Sequence, residues 1–393
     1  MEKVFLNEIL SQPTAPFRET HVVRCILKRL RDGGVPHFRD PAGNIVLGAA
    51  TPEQYRHKLA QGGTEPVRFF MAHMDHPGFH GVQWVGKDRL KVKWMGGSPR
   101  RLLKGAKVWL ADDAGFFGQG TLSQVVLSKS KLAIDTAAVD LTSKHPEPLP
   151  SPESLYGAFR FRAPVWQTKK IFHTKAADDL VGSFVIASLA LSLYKGDAPP
   201  EVVKARGRFL GLLTRAEEVG FIGAIAHFQL GWLKARSPVL CVSLETSRTL
   251  PGAEVGKGPV VRLGDRATTF DPGALHVFTQ LAQKKIPGKF QRRIMDGGTC
   301  EGTVALAFGF PTVGISIPLG NYHNQSFEGG PGSRGSLGPA PEFVHEDDIE
   351  GMLSLCTSLL DADHPWHAPW NAKLDEFQGW VKNYQPLLAQ IPE

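Results

Sequence analysis

Short apolar segments that alternate with helical patterns are the feature that most constrains the fold of this chain. The segments VRFFMA, GRFLGLLT, SPVLCVSL and PTVGISIP have the length of strands and are bounded by polar or turn-forming residues. Helical patterns separate several of them, and the segment LVGSFVIASLALSLY is apolar nearly all round, which is typical of a buried helix. Strands that alternate with helices predict an α/β fold, a mixed sheet with a mostly parallel core flanked by helices.

Residues 80–163 follow a different pattern. Short β-like runs and many turn residues occur there with little helical periodicity, and the segment ends in a proline-rich stretch, HPEPLPSPESLYGAF. We therefore expect a small β domain at 80–163, inserted into a discontinuous domain formed by residues 1–79 and 164–393. The tail beyond residue 364 is expected to be a helix that packs on the rest of the chain.

Composition excludes several classes of protein. The chain has 393 residues, 42% of them hydrophobic, so it can bury a large core without disulfides. The formal charge of +7 is spread along the chain, which favours a solvated surface over a nucleic-acid binding arm. The four cysteines show no CxxC spacing, and we find neither a signal peptide nor an apolar run of membrane-spanning length. We expect a cytoplasmic protein without a nucleic-acid or membrane partner.

The apolar segments are followed by side chains that commonly bind metal ions. In an open α/β sheet, ligands bind in the crevice beyond the carboxyl ends of the strands. Imidazole nitrogen together with carboxylate oxygen suits divalent zinc or cobalt. The residues expected at this edge are His73 and Asp75 after the first segment, Glu217 and Glu218 after the second, Glu245 after the third, His323 after the fourth, and Asp178 and Asp179 before the buried helix.

Five such side chains are enough for two cations. Ions about 3.5–4 Å apart can share one bridging carboxylate, which leaves one imidazole and one further carboxylate for each ion. Each residue alone also has an ordinary explanation. A histidine such as His73 can be a hydrogen-bonded core residue, and Asp178 or Asp179 can cap the helix that follows. The joint pattern favours a metal site.

A series of motifs makes the chain similar to a known family. AHMDHPGF, AADDLVGS, TRAEEVGFIGA, LETS, VGKGPVVRLGDRATTFDP, GGTCEGT and PTVGISIPLGNYHN occur between about residues 65 and 360. In this series the chain resembles the glutamyl-aminopeptidase (TET-type) family of aminopeptidases with two co-catalytic metal ions, which includes members labelled endoglucanases. The resemblance implies an aminopeptidase α/β domain with an inserted β-barrel-like domain for dimerisation, and homo-oligomers that are often dodecamers.

The resemblance also implies a role for each matched residue. Asp75 matches the acid that orients the first histidine, and Glu217 matches the general base. The matched metal ligands are His73 and Glu245 for one ion, Glu218 and His323 for the other, and Asp178 as the bridge.

Four positions depart from the family pattern. Glu245 stands where the family usually has Asp, and Leu180 where it often has Arg. Cys300 and Glu301 replace an Asp followed by a small residue in a loop that lies near the substrate in the family. We expect these two residues to line the substrate pocket; a purely structural turn before the next helix is the alternative.

The function expected from these observations is that of a metal-dependent aminopeptidase. Hydroxide formed at two divalent ions, zinc or cobalt, would attack the first peptide bond of a substrate with a free N-terminus, and Glu217 would transfer the proton to the leaving amine. The alternatives are another metal-dependent amidohydrolase, such as a deacylase or carboxypeptidase, and a glycoside hydrolase, which needs two carboxylates and no metal. An inactive protein that keeps the fold is a third alternative.

Overall fold

The computed structural model describes residues 1–142, 148–196 and 199–390. Within these ranges the chain forms three sheets, surrounded by helices. The helices are α1 (Lys3–Ser11), α2 (Thr20–Asp32), α3 (Pro52–Ala60), α4 (Leu180–Tyr194), α5 (Pro200–Arg208), α6 (Ile222–Gln229), α7 (Pro272–Lys285), α8 (Glu301–Ala307), α9 (Glu346–Leu359) and α10 (Asn371–Leu388).

The largest sheet has eight strands with a parallel centre. In spatial order they are β1 (His37–Arg39), β2 (Ile45–Leu47), β12 (Phe209–Thr214), β3 (Val67–His73), β13 (Val239–Arg248), β16 (Thr312–Leu319), β14 (Val260–Gly264) and β15 (Gln291–Ile294). Strands β12, β3, β13 and β16 run parallel, whereas β2 and β14 pair antiparallel with the outer members of this group. The predicted fold class, a mixed sheet with a mostly parallel core, is confirmed.

Apolar packing on both faces explains why the central strands are continuous hydrophobic runs. In β3, Phe70 and Ala72 join the core formed with α1, α2, α4, α7 and α9, while Phe69 and Met71 join the core formed with α3, α6 and α8. Successive side chains of a strand point to opposite faces, so a strand covered on both sides is apolar at most positions; the buried Arg68 of β3 is an exception. Helix α4 lies inside the first core and is apolar nearly all round for the same reason.

A closed six-stranded antiparallel barrel is inserted between β3 and α4. Its strands are β4 (Gly78–Trp84), β5 (Arg89–Met95), β6 (Lys107–Ala111), β7 (Phe116–Leu127), β8 (Ile134–Leu141) and β9 (Tyr156–Phe159), in the order β4-β5-β8-β7-β6-β9. Alternate residues of β5, Leu90, Val92 and Trp94, point into the barrel core. The β-barrel-like fold is confirmed. The division into domains at 80 and 163 stays a prediction, and the start of the proline-rich exit, at 145–147, lies outside the described residues.

Two elements complete the structure. A three-stranded sheet of β10 (Val165–Thr168), β11 (Ile171–Thr174) and β17 (Glu342–His345) lies beside the chain segment that leads into α4. The tail forms α10 as a helix, but none of its residues is buried, so the expected packing on the rest of the chain is not observed. In the described ranges, no helix has the length and apolar character needed to cross a membrane.

Candidate metal centre

The carboxyl edge of the large sheet brings the predicted ligands together. His73 is the last residue of β3, Glu218 follows β12, His323 follows β16, and Asp178 precedes α4. The expectation that Glu245 follows its strand is wrong, because β13 continues to Arg248 and Glu245 pairs in register with Ser316 of β16. The extension of β13 could not be predicted from the sequence, because Glu245-Thr-Ser resembles the polar end of a strand. In the structure β16 continues beside these residues and pairs with their main chain.

The clustered side chains form three groups. One consists of His73, Glu217 and Glu218, and the remaining two groups share one carboxylate. The first of these two is His73, Asp178 and Glu245, the second is Asp178, Glu218 and His323, and in each the potential ligand atoms lie within 4.8 Å of one another. Asp178 Oδ1 lies 3.4 Å from His73 Nε2, and Asp178 Oδ2 lies 3.6 Å from His323 Nε2. Each oxygen of Asp178 therefore faces a different histidine, as a bridging carboxylate would require.

Several of these atoms are buried without a hydrogen bond. Oδ1 of Asp178, Oε1 of Glu218, Oε1 of Glu245 and Nε2 of His323 have no hydrogen-bond partner within the described part of the chain. Buried polar atoms are rarely left unpaired, because their desolvation is not compensated. Asp178 is common to the two groups that share a carboxylate, Glu245 belongs to the first of them, and Glu218 and His323 belong to the second. The donor set therefore fits two divalent cations that would complete the coordination of these atoms.

The imidazole of His73 is oriented for binding through Nε2. Its Nδ1 donates a hydrogen bond to the main-chain oxygen of Asp75 at 3.1 Å. With the proton on Nδ1, the Nε2 lone pair is free to bind a cation. The Asp75 carboxylate also lies near this nitrogen, with Oδ1 3.6 Å from Nδ1 of His73, and its role in orienting the imidazole stays a prediction. The same carboxylate holds the loop after β12, since Oδ1 accepts the N–H of Glu217 at 2.9 Å and Oδ2 accepts the N–H of Glu218 at 3.1 Å. Asp75 thus fixes the turn that carries both glutamates.

Burial and mutual charge set the electrostatics of the site. Burial raises the pKa of Glu217 and of Glu245 well above the ordinary value, and neighbouring carboxylates add to the effect. Burial acts to lower the pKa of His323, but the Glu218 and Asp178 carboxylates raise it to about 10. Burial acts to raise the pKa of Asp178, but His323 and His73 hold this pKa below its usual value. Nearby positive charge therefore stabilises the ionised carboxylates of the site. When no metal is bound, the imidazolium groups of the histidines supply it.

The barrel contributes to the site through two glycines after β5. A Cβ atom on Gly97 would lie 2.0 Å from Nδ1 of His323, and one on Gly96 would lie 3.3 Å from Cβ of Glu218. The main chain of the barrel therefore approaches His323 at a distance that only glycine allows. This contact was not predicted, because nothing in WMGGSPRR indicates which element it meets.

Two further acids lie at the site: Glu342, which was not predicted from the sequence, and Asp179, which was expected at the sheet edge without a metal-binding role. Glu342 in β17 accepts the N–H groups of Ala177 and His323 at 2.6 and 2.9 Å, so it ties the segment before α4 to the turn of His323. No motif marked this position. Asp179 caps α4 by accepting the N–H of Gly182 at 3.1 Å, which matches the ordinary capping role.

The structure buries the two residues predicted to line the substrate pocket. Cys300 is 2% exposed and donates through Sγ to Asp265, which in turn pairs with the buried Arg262. Glu301 is the first residue of α8 and is completely buried. Substrate contact stays a prediction for both, and their burial favours the alternative of a structural turn before α8.

The fold and the site define a class: an α/β protein with an inserted barrel and a carboxylate–imidazole cluster at the carboxyl edge of its sheet. The model of the M42 glutamyl aminopeptidase family matches residues 58–327. The chain belongs to this family, which confirms the identification made from the motifs and supports a peptidase.

Solved structures agree with this assignment. The TET1 peptidase of Pyrococcus horikoshii, reported to assemble into a tetrahedron or a large octahedral shell, is 20% identical with a TM-score of 0.69, and the match covers 92% of this chain and 99% of that one. An aminopeptidase from Desulfurococcus kamchatkensis is 19% identical, with a TM-score of 0.68 and coverage of 93% and 95%.

A protein from Thermotoga maritima called an endoglucanase is also similar, at 16% identity and a TM-score of 0.62, with coverage of 93% of this chain and 99% of that one. At these identities the structural likeness shows the fold. A search of curated protein sequences finds no match to this chain.

Proposed function

We propose that this chain is a metal-dependent aminopeptidase that removes N-terminal residues from peptides. The observation that carries the proposal is the pair of ligand groups that share Asp178, each with buried atoms that lack a hydrogen-bond partner within the described residues. His73 and Glu245 would hold one ion and Glu218 and His323 the other, with zinc or cobalt best matched to these donors. When bound, the ions would make water acidic near neutral pH and polarise the peptide carbonyl.

Glu217 is the group that we propose moves the proton. Its carboxylate lies beside the ligands, with Oε2 3.8 Å from Nε2 of His73, and 11% of the side chain is exposed. Burial raises its pKa well above the ordinary value, which suits a group that accepts a proton from water and returns it to the leaving amine. Its neighbour Glu218 faces His323, so the two glutamates divide the work of proton transfer and ligation.

Charge supports an aminopeptidase over a carboxypeptidase. Six carboxylates lie in and around the site, whereas two divalent ions would bring four positive charges. A site with surplus negative charge attracts the ammonium group of a free N-terminus and repels a C-terminal carboxylate. The six are Asp75, Asp178, Asp179, Glu217, Glu218 and Glu245.

The alternatives differ in their need for metal and in their substrates. Chelated protein should not hydrolyse aminoacyl p-nitroanilides, and adding zinc, cobalt or manganese should restore the activity in proportion to bound metal. A glycoside hydrolase would keep its activity on glucans in EDTA. A deacylase or carboxypeptidase would cleave N-acylated substrates, which block the free N-terminus, at least as fast as the free aminoacyl compounds.

Assembly and location belong to the same proposal. We propose that the chain forms a homo-oligomer built from dimers, with the barrel as the dimerisation element, and that a dodecamer is one candidate for the complete particle. The dodecamer reported for a structure that is 18% identical supports this proposal. The four cysteines are unpaired, which suits a reducing, cytoplasmic location.

A further inference from the structure

Helix α10 carries an apolar stripe that the described part of this chain leaves largely exposed. None of the residues of α10 is buried. The side chains of the stripe are between 44% and 69% exposed, although they are of a size and type that normally lie in a core. Together with Trp370, which immediately precedes the helix, the stripe consists of Leu374, Phe377, Val381, Tyr384 and Leu388.

The spacing of the stripe is that of a helix-pairing seam. Its members follow one another at intervals of four, three, four, three and four residues, the alternation that places side chains on one line along a helix that supercoils with another. Trp380 and Leu387 widen the seam on one side. A helix that packs on a sheet needs a broader and less regular apolar face, so this pattern favours another helix as the partner.

The polar residues of α10 exclude an anionic membrane as the partner and permit pairing with a second copy. The helix has two basic and two acidic residues, Lys373, Lys382, Asp375 and Glu376, so it carries no net charge. A helix that lies on an anionic membrane typically has a polar face rich in Lys and Arg, which α10 lacks. Trp380 and Leu387 border the seam on one side, and the residues that border it on the other side, at positions 371, 378 and 385, have amide side chains. Amides are uncharged, so two paired copies would not place like charges against each other.

The area of the stripe is enough for a stable pair. Aromatic side chains present roughly 200 Å² each when fully exposed, and aliphatic ones somewhat less, so half-exposed side chains at eight positions offer on the order of 800 Å². A standard protein interface buries about 800 Å² on each partner. An apolar patch of this size on one chain marks an interaction site.

The segment before α10 holds its start on the body of the protein. Trp366 lies under the guanidinium of Arg68, at 5.4 Å from Cζ to the ring centre, and the ring of Trp370 stacks on His276 of α7 at 4.3 Å. These two contacts fix the start of α10 on the body of the protein. Because two copies carry the same seam, their helices would pair around a two-fold axis. We propose that α10 pairs with α10 of a second copy of this chain through the seam from Trp370 to Leu388.

Charge placed in the seam tests this pairing against matched charge placed outside it. The seam variant combines Phe377→Asp with Val381→Asp, and the control combines Ala372→Asp with Asn383→Asp on the opposite side of the helix. Light scattering coupled to size exclusion should give the control the mass of the unmodified protein and the seam variant at most half that mass. Hydrolysis of aminoacyl p-nitroanilides per subunit is measured in parallel, so that loss of peptidase activity is recorded separately from loss of pairing.

Cross-linking tests the contact itself. The midpoint of the seam lies between Phe377 and Val381. In a parallel pair each of these residues meets its own copy, and in an antiparallel pair aligned on the seam Phe377 of one copy meets Val381 of the other. In a background with the half-buried Cys25 replaced by serine, Phe377→Cys combined with Val381→Cys should therefore give a covalent dimer with oxidised glutathione in either orientation, whereas Ala372→Cys combined with Asn383→Cys should not.

Three results overturn the proposal. One is an unchanged mass of the seam variant together with failure of the variant with cysteine at 377 and 381 to cross-link. Another is equal cross-linking of that variant and of the control with cysteine at 372 and 383. In the third, both charge variants have the same mass, and vesicles of phosphatidylcholine and phosphatidylserine bind the control but not the seam variant. That result would assign the stripe to a lipid surface.

Discussion

Nε2 of His323 lies 3.2 Å from Oε2 of Glu218, although the two residues follow strands that are not neighbours in the sheet. Strands β12 and β16 are separated by β3 and β13, so the two loops must lean across the sheet edge to meet. The main chain of the barrel at Gly97 lies directly behind His323. The inserted barrel therefore has a structural part in forming the second ligand group.

Gly97→Ala should displace His323 and weaken one of the two metal positions. The added Cβ would lie 2.0 Å from Nδ1 of His323, so the imidazole must leave the position in which its Nε2 faces Glu218. We expect metal content to fall towards one equivalent and turnover to fall by at least tenfold, as measured by elemental analysis and kinetics. Gly207→Ala is the control, because a Cβ there meets no atom within 4 Å. Full activity with two equivalents in Gly97→Ala would show that the barrel does not position His323.

Glu217→Gln and Glu218→Gln should fail in different ways. Glutamine at 217 keeps the volume but cannot accept a proton, so turnover should fall by roughly 10²–10⁴ while metal content stays unchanged. Glutamine at 218 replaces an anionic ligand with a neutral one, so one ion should bind more weakly and added metal should restore part of the activity. If Glu217→Gln loses metal while Glu218→Gln retains both equivalents, the two roles are reversed.

Asp75→Asn should damage the turn that carries both glutamates. The carboxylate accepts N–H groups from Glu217 and Glu218, and an amide can accept only one of them because its NH₂ group is a donor. An unpaired buried N–H costs about 1–3 kcal/mol, so the free energy of unfolding should fall by that amount in urea titrations, and activity should fall with it. An unchanged unfolding midpoint would contradict the anchoring role of Asp75.

Glu301→Gln should stabilise the protein above neutral pH. Burial raises the pKa of Glu301 to about 7, so between about pH 4.5 and 7 the folded protein binds more protons at this group than the unfolded chain does. The free energy of unfolding therefore falls as the pH rises through this window, and glutamine removes that loss. At pH 8 we expect a gain of up to about 3 kcal/mol in urea titrations.

The exposed Glu201→Gln should show no such gain, and neither variant should change the preference among acidic, basic and apolar N-terminal residues. A changed preference in Glu301→Gln would instead support the substrate contact predicted from the sequence.

The parts of the fold and site that could be predicted are those with local signals. The continuous apolar run of β3 marks a strand covered on both faces, and the residues that follow it, His73 and Asp75, stand next to a marked strand end. The barrel was predicted as β structure from its short β-like runs and turn residues and its lack of helical periodicity. These signals depend on residues that are close together in the sequence, so they can be recognised without knowledge of tertiary contacts.

The parts that could not be predicted depend on distant contacts. Glu342 holds the turn of His323 through backbone N–H groups, and no periodicity marks an acceptor of that kind. The extension of β13 past Glu245 depends on pairing with β16, which local polarity obscures. The burial of Glu301 under the site likewise follows from tertiary packing, so its sequence position in a glycine-rich loop suggested exposure.

The most direct test of the central claim is an anomalous-scattering map of crystals of this protein grown with zinc and measured at the zinc absorption edge. Our account predicts two peaks about 3.5–4 Å apart, one between His73 and Glu245 and the other between Glu218 and His323, with Asp178 between them. A map without two peaks at this cluster, or with zinc bound only elsewhere on the chain, would contradict the dinuclear centre.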